Sequence, residues 1–148
     1  MSVQTENEKK KRFLNSYPKA RREVARLEAQ LEELRVNKMS LKVVNDGMPK
    51  GSGTSDLSEY AARMDELERK LKAKRYVCIQ EFVKVQDAIE EMEDVQEKLL
   101  LTYRYLKGMT WERIADEMNY SWQHLHKIHA KALKNFNHAM ECDTTPVV

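Results

Sequence analysis

The sequence of 148 residues contains little glycine, proline or cysteine: four, three and two residues, respectively. Nucleotide-binding α/β enzymes depend on glycine-rich loops, so four glycines argue against a Rossmann or P-loop enzyme. Cys78 and Cys142 lie far apart and fit neither a disulfide framework nor a zinc-ligand pattern. No apolar run approaches the roughly 20 residues of a membrane span, and residues 1–6 lack the apolar core of a secretory signal. We therefore expect a reduced, cytoplasmic protein without a membrane segment.

Charged residues are abundant instead, at 34% of the chain. Frequent Glu, Lys, Leu, Ala and Arg, with few helix-breaking residues, are typical of long helices. We predict an all-α fold in which a long, coiled-coil-like hairpin precedes a C-terminal three-helix unit. The predicted domains are residues 1–93 for the hairpin, 94–140 for the three-helix unit and 141–148 for a disordered tail.

Two apolar seams with alternating spacings of three and four residues predict the hairpin. The first seam extends from Ala20 to Leu41, on a helix expected to begin near Pro18. A flexible loop near 45–56 follows, and Ser55 or Asp56 is expected to cap the second helix. The second seam extends from Leu57 to Met92. Because a two-helix hairpin buries little apolar surface, we expect self-association, as a dimer.

Basic and acidic residues are unevenly distributed along the hairpin. Residues 9–26 contain eight basic residues against one acid, Glu23, so this cluster is either a DNA-contacting arm or an ordinary solvated helix end. Residues 56–94 contain eleven acids against seven bases. The second helix is therefore not expected to face nucleic acid.

From Asp94 onward the pattern predicts three shorter helices, over residues 94–107, 111–118 and 121 to about 136. The last two are joined by a short turn, which is typical of a helix-turn-helix. Ile114, Met118, Leu125 and Ile128 are expected to fill the space between these two helices, and Ala115 to be small because the last helix crosses it. The residues expected to end or cap the helices are Gly108, Thr110, Asn119 and Ser121.

The last predicted helix has one apolar stripe and one face without acids. Residues 121–137 contain three lysines, three histidines and no acidic residue, as expected of a helix that faces phosphates. The apolar stripe consists of Leu125, Ile128, Ala132, Leu133 and Phe136. The candidate DNA-binding residues are Trp122, Gln123, His126, Lys127, Ala130, Lys131 and Lys134, together with Arg113.

Position along the helix predicts different roles for these side chains. The N-terminal part of a recognition helix enters the major groove, so Gln123, His126, Lys127 and Trp122 are candidates for contacting bases. Gln pairs with adenine and Lys reaches guanine, each worth about 1–3 kcal/mol of discrimination. Farther along, and on neighbouring helices, the candidates for contacting phosphates are Lys131, Lys134, Arg113 and Lys107.

Other side chains in this region are expected to have ordinary roles. Trp111 is expected to pack in the core. His124, His126 and His129 are expected to be solvated or to face phosphates, because no cysteine or carboxylate accompanies them as a metal ligand. We expect no metal, no cofactor and no catalytic set of residues, and therefore no enzyme.

The C-terminal third resembles region four of bacterial sigma factors. The resemblance lies in residues 99–115, LLLTYRYLKGMTWERIA, and in residues 121–133, which end in an Ala-Leu pair. The whole chain is also similar, more loosely, to small phage-encoded sigma-like regulators of the RinA and ArpU type, which share a loop like residues 48–56. The resemblance implies sequence-specific binding to double-stranded DNA and transcriptional control, as an activator, of phage or prophage genes in a bacterial host.

The chain departs from complete sigma factors in two respects. It has no recognisable promoter-melting region, and Trp122 stands where a polar residue is common early in the recognition helix. A complete initiation factor is therefore not expected, and contact of the helix over 94–107 with host RNA polymerase is left open. Two further functions also stay open: a small-terminase-like DNA-recognition subunit of phage packaging, and a helical protein-interaction scaffold.

Overall fold

The computed structural model describes residues 3–44 and 53–137, with side chains described for 5–37 and 57–137. Within these ranges the protein is all-helical, as predicted, and has no strand. The helices are α1 (Val3–Leu14), α2 (Ser16–Val44), α3 (Gly53–Glu90), α4 (Val95–Leu101), a π-helical turn (Thr102–Leu106), α5 (Trp111–Met118) and α6 (Trp122–Asn135). Residues 45–52 of the loop predicted near 45–56, the side chains of Leu41, Ser55 and Asp56, and the predicted disordered tail lie outside the described residues.

The contacts divide the chain into two compact units with a boundary that differs from the predicted one at 93/94. One unit consists of Ala20–Cys78, and the other combines Met1–Lys19 with Ile79–Val148. The first residues of the chain and the end of α3 therefore belong to the unit that contains the helix-turn-helix, because their apolar side chains share its core.

The unit Ala20–Cys78 contains the predicted packing of α2 against α3. Its core is formed by Leu27 and Leu31 of α2 and Leu71 of α3, with Val24, Met64 and Leu67 packed against them. The core is shorter than the predicted seam, because Leu57 is 55% exposed. The predicted buried position of Leu57 is therefore wrong, and α3 also begins earlier than predicted, at Gly53.

The second unit contains a helix that the sequence pattern did not predict. α1 spans Val3–Leu14, and α2 begins directly after it at Ser16, so Pro18 lies in the first turn of α2 as expected. Leu14 is fully buried. This core has eleven buried residues. They come from α1, from α3 and the residues that follow it, from α4 and the π-helical turn, and from α6 and its C-cap: Leu14, Val85, Ala88, Ile89, Met92, Leu101, Tyr105, Leu106, Ala132, Leu133 and Phe136.

The helix predicted over 94–107 is α-helical only in its first half. Asp94 caps it, accepting hydrogen bonds from the backbone N–H groups of Gln96 (2.9 Å) and Glu97 (3.1 Å). The Thr102–Leu106 segment is a π-helical turn, and both Tyr105 and Leu106 in it are buried in the core. Gly108 ends the segment with φ +66°, a left-handed conformation that glycine adopts without strain.

The helix-turn-helix forms with the predicted bounds and caps. Thr110 Oγ1 accepts from Arg113 N (3.3 Å) at the start of α5, and Ser121 Oγ accepts from His124 N (3.1 Å) at the start of α6. Between the helices Asn119 adopts the left-handed conformation, with φ 56° and ψ 43°. A second core lies beneath the motif, formed by Leu100, Ile114, Leu125 and Ile128, against which Ala115 and Met118 pack as predicted.

Candidate nucleic-acid interface

α6 buries one face and exposes the opposite one. Every residue of its predicted apolar stripe is buried, and Leu125, Ala132 and Phe136 are fully so. The opposite face consists of the exposed side chains of Gln123, Lys127, Ala130, Lys131 and Lys134. The structure therefore places five of the eight candidate DNA-binding residues together on one accessible, acid-free surface, here called the α6 basic face.

Trp122 and His126 lie beside the α6 basic face, in an aromatic cluster with Trp111. The ring of His126 is 4.0 Å from that of Trp122 and 4.7 Å from that of Trp111. His126 is half-buried and its Nε2 atom is shielded from solvent without a hydrogen-bond partner, whereas Trp122 is 58% exposed. His126 thus offers less of its ring to a base than predicted, while Trp122 presents a large apolar surface at the start of α6.

Arg104 also contacts Trp111. Its guanidinium carbon lies 4.7 Å from the centre of the Trp111 ring, and its Nη1 atom donates to the carbonyl oxygen of Met109 (3.0 Å). This cation–π contact and hydrogen bond fix the start of α5, which carries Trp111. Trp111 therefore has the predicted packing role, and Arg104 is a structural residue that the sequence pattern did not identify.

The two candidate phosphate-contacting residues outside α6 are both exposed. Arg113 lies in the first turn of α5. Lys107 follows the π-helical turn, and its Nζ atom lies 5.4 Å from the centre of the Tyr103 ring. Both side chains are accessible, but the structure gives no contact between either of them and the α6 basic face.

His129 is buried, contrary to the prediction that the α6 histidines are solvated or face phosphates. It is 8% exposed, and its Nε2 atom lies 2.9 Å from the hydroxyl oxygen of the buried Tyr105. Burial, with smaller electrostatic effects of Lys11, His126 and Arg104, lowers the pKa of His129 to about 4. Its spacing could have shown this, because His129 is four residues from both Leu125 and Leu133 of the apolar stripe.

Two buried charged residues hold the C-terminal end of α6. Lys10 of α1 is 6% exposed and its Nζ atom donates to the carbonyl oxygens of Leu133 (2.8 Å) and Lys134 (3.4 Å). A cation at this end also interacts favourably with the helix dipole. From α4, the buried carboxylate of Glu97 accepts from Asn135 Nδ2, at 2.9 and 3.1 Å. Single-sequence periodicity carries no signal for either contact, because the partners are distant in the chain.

Lys10 also changes the interpretation of the basic cluster over residues 9–26. It is neither part of a free arm nor solvated, since it is buried against α6. Arg26 is exposed and forms an ion pair with Glu23 on the same helix (3.1 Å). The other basic side chains of the cluster are exposed: Lys9, Lys11, Arg12, Lys19, Arg21 and Arg22.

Among the described side chains, those of residues 5–37 and 57–137, no three of His, Cys, Asp or Glu come together as a metal-binding group. Across residues 3–44 and 53–137, no helix is both long enough and apolar enough to span a bilayer. Comparison of the chain with protein-family models, with curated proteins and with solved structures finds no significant match.

Proposed function

We propose that this protein is a sequence-specific, double-stranded-DNA-binding transcriptional regulator of phage or prophage genes, acting as an activator. One observation carries the proposal: the second helix of a helix-turn-helix exposes an acid-free face with three lysines in a chain that has 24 acidic residues. A helix facing only solvent would be expected to carry some of those acids. The fold alone does not fix this function, so the charge of the face is the stronger support.

The proposed mechanism divides the α6 basic face along its length. Gln123 and Lys127, near the N-terminus of α6, enter the major groove and contact base edges. Ala130 is small enough to let the helix approach the DNA closely. Lys131 and Lys134 contact phosphates, which positions the helix without reading sequence. The Trp122 ring lies at the entrance to the groove, where it contacts the apolar surface of bases.

The proposal is tested by duplex-DNA binding at several salt concentrations, measured by fluorescence anisotropy. Wild type should bind with a steep salt dependence, and a Lys127→Ala, Lys131→Ala, Lys134→Ala variant should lose about two to three units of slope, since each phosphate contact releases counterions. Between 50 and 200 mM salt, the loss of three phosphate contacts changes the ratio of wild-type to variant affinity by about forty-fold.

A matched control removes the same charge from α3. Lys72, Lys74 and Lys84 are all exposed, so the triple alanine variant at these positions should keep the wild-type slope. An equal loss of slope in both variants would show that net charge alone drives binding and that α6 is not a specific DNA-binding face. Absence of salt-dependent binding by wild type would favour the protein-interaction scaffold.

We also propose that the protein acts as a dimer, so that two α6 helices contact two half-sites about 34–36 Å apart. Ile79 and Val83 form an exposed apolar row on α3, four residues apart, with exposed fractions of 63% and 47%. Such an exposed apolar row is typical of association surfaces. Sedimentation equilibrium should give a dimer, and Ile79→Asp should give a monomer. A ring of eight or more chains would instead favour the packaging subunit.

Contact with host RNA polymerase is a further part of this proposal. It is supported by two apolar side chains on α4, Val95 and Leu99, which are 75% and 39% exposed and lie four residues apart on one side of the helix.

A further inference from the structure

The C-terminal end of α6 is held by a residue from another helix. Phe136, which follows α6, is extended, with φ −84° and ψ 103°, so the chain leaves α6 without the left-handed turn that Asn119 provides after α5. The last four carbonyl oxygens of a helix have no donor within that helix. In α6 two of these oxygens, those of Leu133 and Lys134, accept hydrogen bonds from the Nζ atom of Lys10 in α1, at 2.8 and 3.4 Å.

α4 holds the same turn of α6 through a second buried charge. The carboxylate of Glu97, which is 4% exposed, accepts from Asn135 Nδ2 with both oxygens, at 2.9 and 3.1 Å. Leu133 and Asn135 are the sequence neighbours of Lys134, whose side chain is exposed on the α6 basic face. The backbone of Lys134 is therefore fixed on both sides by buried charges, while its ammonium group remains accessible.

The two ends of α6 are stabilised in different ways. At the N-terminal end, the side chain of Ser121 accepts from a backbone N–H group of the helix itself, so this cap is local. Gln123 and Lys127 lie near that end. Lys134 lies in the last turn, whose carbonyl oxygens depend on Lys10. Removal of Lys10 is therefore expected to loosen the end that carries Lys134 and to leave the N-terminal end in place.

We infer that Lys10 is a positioning residue for DNA binding, which fixes the last turn of α6 so that Lys134 can contact phosphate. The inference rests on the proposed function and deepens it. Lys10 acts through the α6 backbone, because at 6% exposure it is itself shielded from DNA. Glu97 has the same role through Asn135. A turn that is ordered before binding loses less conformational entropy on association, so its lysine contributes more to affinity.

The test is a double-mutant cycle on the salt dependence of binding to a mixed-sequence duplex, with Lys10→Met, Lys134→Ala and the combination of both. Methionine is apolar and cannot donate to the α6 carbonyl oxygens. Lys134→Ala should lose one phosphate contact, or about 0.9 units of slope, so the ratio of wild-type to variant affinity should increase about 3.5-fold as salt is lowered from 200 to 50 mM. Lys10→Met should lose the same amount, and the double variant should lose no more than either single variant.

The charge control is Lys72→Ala, which removes one exposed cation from α3 and should keep the wild-type slope. If Lys10 only stabilises the fold, Lys10→Met melts earlier by circular dichroism but keeps its slope, and Lys134→Ala removes about 0.9 units in both backgrounds. That result, or an unchanged slope in Lys134→Ala itself, would overturn the inference while the proposed function stands. If wild type shows no salt-dependent binding, both fail together.

A second variant decides the question if Lys10→Met does not fold. Asn135→Ala changes an exposed side chain and releases the same turn of α6 from Glu97. Combined with Lys134→Ala in the same cycle, it should again give a double variant with no further loss of slope. Additive losses in this second cycle would contradict the inference.

Discussion

A fragment beginning at Asp94 is expected to lose cooperative folding, although it contains the entire helix-turn-helix. The fragment lacks five of the eleven buried residues in the larger core: Leu14, Val85, Ala88, Ile89 and Met92. It also loses Lys10, which caps α6. Removing a single large aliphatic side chain from a core costs about 2–5 kcal/mol, so removing several exceeds the typical 5–15 kcal/mol stability of a whole domain.

The measurement is a urea titration followed by circular dichroism, with DNA binding measured in parallel. The matched control deletes the other compact unit, replacing residues 20–78 with a short Gly-Ser linker. The rings of Tyr17 and Phe82 lie 5.1 Å apart, so the two ends to be joined are close together. This shortened chain should unfold cooperatively. A cooperative transition of wild-type midpoint in the fragment from Asp94 would instead place the domain boundary at 93/94.

The free energy of unfolding is expected to fall by about 2–3 kcal/mol between pH 7 and pH 4.5 because of His129 alone. Its pKa is lowered to about 4 in the folded protein by burial, with smaller effects of Lys11, His126 and Arg104. In the unfolded chain a histidine has a pKa of about 6.5. Between these values the unfolded state binds more protons, so the contribution of His129 to stability is complete above about pH 6.5 and is lost as the pH falls toward 4.

To isolate the contribution of His129, the readout is a comparison of pH dependence between wild type and His129→Gln. Glutamine carries no charge and can still hydrogen-bond to the hydroxyl of Tyr105, which is itself buried. The variant should lack the part of the pH dependence due to His129, whatever its stability at pH 7. Parallel curves for the two proteins would show that the histidine is not held neutral by the fold.

Local sequence signals predicted the helix-turn-helix well because they act over a few residues. A hydroxyl before a helix accepts from the first N–H groups, as Thr110 and Ser121 do. Asn119 and Gly108 adopt the positive φ values that other residues avoid. The apolar stripe of α6 followed from helical spacing alone, and every predicted member is buried.

Apart from the burial of His129, the missed features depend on partners that are distant in the sequence. α1 is largely polar and basic. It becomes part of the core only because Leu14 and Lys10 contact α6, which is more than 115 residues away in the sequence. Glu97 is buried because Asn135, 38 residues away, donates to it. Leu57 continues the apolar spacing pattern of α3 but is exposed, because the core between α2 and α3 does not extend to it. Spacing along one helix cannot show where packing against another helix stops.

The sequence by itself determined the all-helical fold, the caps and turn of the helix-turn-helix, and the acid-free face of α6, because each is set by neighbours within about one or two helical turns. Only the tertiary structure decided how the chain divides into two compact units and how the N-terminal basic cluster divides into Lys10, which is buried against α6, and the exposed Lys11 and Arg12. The physical reason is that burial and charge pairing depend on which surfaces meet after folding.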